Sequence, residues 1–206
     1  MEPSPVTPTA IDLRLPLRNF VFNDLLWSEA LPLRRSQSAT ERLHELLLDP
    51  QFQRRVAPYI PGLLSEWTSD TSSEVTGRMC DLASRAPNPE SVGTLLYMYQ
   101  RTHRDYETIL GALANYHQLR ELHGVFFLEV RRKRSPAVAH VCMRALCSCW
   151  PAKAAELFGD FLDFTSLDEA AISELIRNIS LANRKKFLDR VRLDGRVQQA
   201  LKEHPL

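Results

Sequence analysis

The sequence predicts an all-α protein, and three observations carry that prediction. Helix-start signals recur at short intervals along most of the chain. Apolar residues follow each of them at spacings of three and four. Proline outnumbers glycine, 13 to 7, and several of those prolines stand where a helix would begin. Strand signals are weak by comparison. The stretches 15–22 and 125–128 hold β-branched or aromatic residues, but no Asn-Gly or Asp-Gly turn pairs them with a partner.

Taken in order, residues 1–9 are rich in Pro, Ser and Thr and are expected to form a disordered tail. Residues 10–70 are expected to form an N-terminal helical capping region. Leu13, Leu17, Phe20 and Phe22 open it, and a polar loop follows Leu33. Ser38-Ala39-Thr40-Glu41 fits a capping box, in which the first hydroxyl and the Glu side chain satisfy each other's backbone N–H groups. Asp49-Pro50 fits an N-cap with proline at the first helical position. Pro58 and Pro61 break the next segment into short pieces.

Residues 71–206 are expected to form a helical-repeat-like domain. Thr71-Ser72-Ser73-Glu74 reads as a second capping box, ahead of Val75, Met79 and Leu82. Asn88-Pro89 caps the next helix. Thr102 opens another with Tyr106, Ile109, Leu110 and Leu113, a full amphipathic stripe. Residues 118–134 carry Leu122, Phe126 and Val130. Ser135-Pro136 and Trp150-Pro151 each start a helix. Ser166-Leu167-Asp168-Glu169 reads as a third box, Asn183 as the cap of a basic helix and Asp194 as the start of the last.

These starts fall about 13 to 18 residues apart, with linkers of two or three residues. Linkers that short force neighbouring helices to pack antiparallel. The expected architecture is an irregular stack of antiparallel helix pairs, a HEAT-like α-solenoid, with a compact helical bundle as the alternative. No residue recurs at a fixed offset in successive pairs, so rhythm alone carries the solenoid reading. Gly77, Gly93, Gly111, Gly124 and Gly159 fall inside helical patterns, where they are expected to permit close helix packing.

The composition narrows the function classes. With 26 Lys+Arg against 25 Asp+Glu, the net charge of +1 argues against a binder of duplex DNA. No apolar run is long enough to cross a bilayer, so no membrane partner is expected. The glycine-rich loops that cradle nucleotides are missing, as are the Gly-x-Ser-x-Gly elbow and His-Glu-x-x-His. No cofactor, metal or small-molecule substrate is expected.

His140, Cys142, Cys147 and Cys149 have ligand chemistry, but all four share one helix, and the two same-face pairs look about 200° apart. With Cys80 they are expected to be reduced, mostly buried thiols of an intracellular protein.

Partner binding is the expected function. Arg131, Arg132, Lys133 and Arg134 form a run of cations at a helix C-terminus, more than the macrodipole alone calls for. Tyr97, Tyr99 and Tyr106 precede it and suit an interface. Ser135, between the basic run and Pro136, is a candidate phosphosite at a helix N-terminus. The basic run is also compatible with nuclear import, so a cytoplasmic or nuclear location is expected. A second basic block, Arg184, Lys185, Lys186, Arg190, Arg192, Arg196 and Lys202, follows the acidic Asp160, Asp163, Asp168, Glu169 and Glu174, and the two blocks are expected to neutralise each other. Phe187 is the one aromatic in that block, too thin an interleaving to suggest stacking on single-stranded nucleic acid.

The expected protein is therefore a non-catalytic intracellular scaffold or adaptor that binds a protein partner as a subunit of a larger complex. A nucleic-acid-associated adaptor is the alternative, and an enzyme or effector with an unrecognised site the second.

Overall fold

A computed structural model describes residues 13–22 and 39–206, and all regular structure among those residues is helical, with no strand. The tail 1–9 and Ser38, the first residue of the predicted capping box, lie outside the described residues. The chain divides into two compact units, Met1–Ser91 and Val92–Leu206.

In the first unit, α1 (Arg14–Phe22) replaces the weak strand signal. Leu13, Leu17, Phe20 and Val21 are buried at helical spacing, and α1 packs on α5 (Ser73–Arg85). Between them come α2 (Ala39–Leu46), α3 (Pro50–Val56), a 3₁₀ turn (Ala57–Tyr59) and α4 (Ile60–Ser65). Asp49 caps α3 as predicted, accepting from the Gln51 N–H at 2.9 Å. The cap of α5 is Ser72 rather than Thr71: Ser72 accepts from Val75 N–H, while Thr71 accepts from Thr68 N–H in the preceding turn. A buried bond from Trp67 Nε1 to Thr76 Oγ1 fixes that turn against α5.

The second unit contains all but the first residue of α6 (Ser91–Arg101), and α7 (Tyr106–Ala114), α8 (Arg120–Arg132), α9 (Pro136–Cys149), α10 (Pro151–Thr165), α11 (Glu169–Arg177), α12 (Leu181–Val191) and α13 (Gly195–Glu203). Its main contacts join each helix to near neighbours in sequence. Helix α9 packs on α8 and α10 and also on α7 and α11; α8 packs on α10, α10 on α12, and α11 on α13. The core runs along this row. Phe158 meets Phe187 edge to face at 5.1 Å and Phe161 at 6.0 Å.

Pro136, Pro151 and Asp194 start helices where the sequence places them. Four other predicted starts move. Asn88 and Pro89 form a turn, with Ser91 N–H bonded to Asn88 O, and α6 begins after it. Thr102 likewise holds a turn ahead of α7, accepting from the Arg104 and Asp105 N–H groups. Ser166 does not cap α11; it ends α10 in the left-handed conformation, φ 50°, and Asp168 caps α11 by accepting from Ala171 N–H. Ser180, not Asn183, is the N-cap residue of α12, and the Asn183 amide reaches back to the Ser180 hydroxyl.

The glycine expectation also needs correction. A Cβ built on Gly77, Gly93, Gly111, Gly124 or Gly159 meets nothing within 4 Å, so none of these residues is there to let helices approach. Gly124 and Gly159 lie mid-helix and exposed. Gly124→Ala and Gly159→Ala are each expected to raise the unfolding free energy by about 0.5–1 kcal/mol, measured by urea denaturation, through the lower entropy of the unfolded chain.

Candidate basic and aromatic surfaces on α8

The run 131–134 is not one ridge. A helix turns about 100° per residue, so consecutive side chains leave on different faces. Arg131 extends back over the Phe127 ring, 5.8 Å from its centroid and one turn earlier. Arg132 turns to Glu129, its Nη1 donating to Oε1 at 2.5 Å. Lys133 is the C-cap residue of α8 in the left-handed conformation, φ 50°, which bends the chain away. Arg134, past that bend, lies over Tyr106 at 5.8 Å. The three arginines thus serve two surfaces, and Lys133 makes the bend between them.

The first surface is a groove between α6 and α8. Glu129 anchors it. Its carboxylate is buried, 1% exposed, and Oε1 accepts from Tyr99 OH at 2.6 Å as well as from Arg132. Oε2 is buried with no hydrogen-bond partner among the described residues. A buried carboxylate needs compensation, and Tyr99 and Arg132 supply it from the groove side. Burial, then the hydrogen bond to Glu129 and its charge, push the Tyr99 phenol up to about 12. The same carboxylate holds the Arg132 guanidinium protonated.

Outward of this triad lies a cavity of about 350 Å³ lined by Tyr99, Gln100, Thr102, His103, Val125, Leu128, Arg132 and Arg134. No acidic residue is in that lining, and Leu128 is 49% exposed beside it. Of the predicted partner-binding residues, Tyr99, Arg132 and Arg134 line the groove and Tyr106 supports Arg134. Tyr97 is exposed on α6 with Arg101 over its ring and does not line it. Gln100, Thr102, His103, Val125 and Leu128 are the lining residues that the sequence did not mark as site residues. Val125 and Leu128 share the face of Arg132 at i, i+3 and i+7, a pattern visible in the sequence once the groove is known. Ser135 is the N-cap residue of α9, partly exposed, and its side chain makes no capping bond.

The second surface centres on Trp150, 37% exposed at the α9–α10 junction. Its ring lies 6.2 Å from Phe127 and 5.9 Å from His123. Lys153, paired with Glu156 at 2.6 Å, also covers the Phe127 ring.

The thiols and the second basic block fall elsewhere. Cys80, Cys142 and Cys147 are buried and unbridged, and Cys149 is half-buried. Burial pushes the Cys142 thiol to about 12 and the Cys149 thiol to about 11, so both are protonated near neutrality. Burial first, then Arg144, lowers the His140 imidazole. Among the described residues no group of three His, Cys, Asp or Glu side chains could hold a metal ion, and no helix is long and apolar enough to cross a membrane. In the basic block, Arg196 pairs with Asp163 at 2.8 Å and with Asp194, and Arg184 donates to the carbonyls of Arg177 and Ile179 at the end of α11. Lys185, Lys186, Arg192 and Lys202 are exposed.

Compared with family models, curated proteins and solved structures, the chain matches none.

The geometry at Glu129 makes two outcomes testable. Tyr99→Phe removes a donor from a buried carboxylate and is expected to cost about 1–3 kcal/mol in urea denaturation at pH 7. Glu129→Met removes the buried charge itself, leaving two partly exposed groups that water can solvate, and is expected to cost less. The raised Tyr99 phenol also sets a sign. Between pH 10 and about 12 the unfolded chain releases this proton first, so stability falls as pH rises through that window. Tyr99→Phe removes that component of the decline.

Proposed function

We propose that the chain is a non-catalytic helical scaffold that binds a protein partner in the α6–α8 groove. The observation that carries this reading is the groove itself. It offers two arginines and a histidine around an exposed leucine, with no opposing carboxylate in its lining. An apolar anchor framed by cations suits a partner segment that combines an apolar side chain with acidic neighbours. Its floor is rigid, because Tyr99 and Arg132 are tied to a carboxylate that cannot be left unpaired.

The arrangement of the second unit supports the scaffold reading. Contacts between helices one and two apart in sequence are what a stack of antiparallel pairs produces, and we read the row α7–α13 as irregular and HEAT-like in this sense. Thiols pushed up by burial, Cys142 and Cys149 among them, favour a structural over a nucleophilic role. Ser135 stands one residue from Arg134. Phosphate there would add negative charge at the N-terminus of α9 and draw Arg134 away from the groove, so modification would weaken partner binding.

The test avoids Arg132, whose replacement would disturb Glu129. Tagged wild-type chain is used for affinity purification from the source cells, alongside a Leu128→Asp/Arg134→Glu variant and a Lys185→Glu control. The expected result is a protein retained by wild type and control and reduced at least tenfold on the groove variant. Partners held equally by all three would overturn the placement.

A further inference from the structure

Trp150 joins the two basic blocks that the sequence keeps apart. It meets Phe127, which carries Arg131 and Lys153 over its ring. It also lines a cavity of about 250 Å³, together with Pro151, Ala152, Asn183, Lys186, Phe187 and Arg190. The floor is apolar and the rim is cationic, with one amide and no carboxylate. Arg190 is held in place by a bond from Nη1 to Ala152 O at 3.1 Å, and Lys186 is exposed. Helix α12 thus brings residues 183–190 beside an exposed indole that lies more than 30 residues earlier in the chain.

We propose that this surface binds single-stranded nucleic acid, with one base stacked on Trp150 in the cavity and neighbouring phosphates paired with Lys186, Arg190 and Arg131. The cavity is smaller than the roughly 300–1,000 Å³ of sites that enclose a whole small molecule, which suits a single inserted group. Stacking on an exposed aromatic, with cations along the flanking backbone, is how single strands are held without sequence preference. A duplex keeps its bases stacked inside and has none to insert. An acidic peptide would use the cations but has no need of the indole wall, and this difference separates the two ligands. The net charge of +1 supplies no long-range attraction, so affinity has to come from this local cluster.

The test uses the full chain and fluorescence anisotropy with a labelled 12-nucleotide oligouridylate, the same length of RNA duplex, and a 12-residue polyglutamate. The single strand is expected to bind at 50 mM salt and to weaken with a log–log slope of about −2, the value for three phosphates neutralised. Trp150→Ala is expected to weaken it about tenfold or more, as loss of one base–aromatic stack does, and Trp150→Phe to keep most of the affinity. Lys186→Glu and Arg131→Glu, both at exposed positions, are expected to weaken binding tenfold or more together, and they carry the test if Trp150→Ala does not fold by circular dichroism. The Leu128→Asp/Arg134→Glu groove variant is expected to bind the oligonucleotide as wild type does, which keeps this surface separate from the partner groove. No binding of the single strand at 50 mM salt would overturn the proposal. So would polyglutamate bound as tightly as RNA, duplex bound more tightly than the single strand, or single-strand affinity unchanged in the folded Trp150→Ala or Lys186→Glu/Arg131→Glu variants.

Discussion

The second unit depends on the burial of one helix. Along α9, Val138, Ala139, Cys142, Met143, Ala145, Leu146 and Cys147 are all buried, which covers most of the circumference rather than a single stripe. A helix apolar on so many sides has to be covered by neighbours on each of them. Helices α7, α8, α10 and α11 do so, and all are within two helices of α9 in sequence because the linkers are too short to reach further. Among the buried residues, Ala139, Cys142 and Ala145 are small. The cysteines therefore matter for volume, and their raised pKa values are a consequence of where volume is needed.

Covering α9 fixes how α8 is rotated, and that rotation decides the chemistry of its two free faces. With Leu122, Phe126 and Val130 turned inward, the helix has to bury position 129 as well, and position 129 is a glutamate. The cost of that buried charge is offset by Tyr99 and Arg132, which are thereby withdrawn from free motion and become the floor of the groove. Glu129 is thus the point at which packing and surface chemistry meet. It is not among the residues that line the groove cavity, but it sets which way one arginine of the basic run can point.

Much of this was legible from the chain and some of it was not. Proline starts at Pro50, Pro136 and Pro151 read correctly because a fixed φ and a missing N–H favour one position in a helix. Hydroxyl and amide caps were less reliable, since Ser, Thr and Asn serve equally in the turn that precedes a helix. Thr71 and Thr102 hold such turns, and Ser166 closes one helix instead of opening the next. Glycine inside a helical pattern says nothing about whether a neighbour approaches it, and at Gly124 and Gly159 none does. Glu129 gave no signal, because a glutamate beside arginines at a helix end looks like an ordinary exposed ion pair until its burial is known.

Helix geometry also makes a run of like charges misleading when it is read as one patch. On a strand, neighbours alternate between two faces; on a helix they fan out by about 100° each, and a left-handed residue at the end redirects the chain beyond it. Arg131 therefore keeps company with Phe127, whose ring neighbours Trp150, and Arg132 and Arg134 with Tyr99 and Tyr106. Aromatic partners divide the run, since each of its arginines lies where a ring or carboxylate receives it. Trp150 in turn owes its exposure to position: it ends α9 and precedes Pro151, so it belongs to neither helix's buried face. A tryptophan left 37% exposed at a helix junction, with cations arriving from α8, α10 and α12, is a surface built by the order of the helices rather than by any contiguous motif.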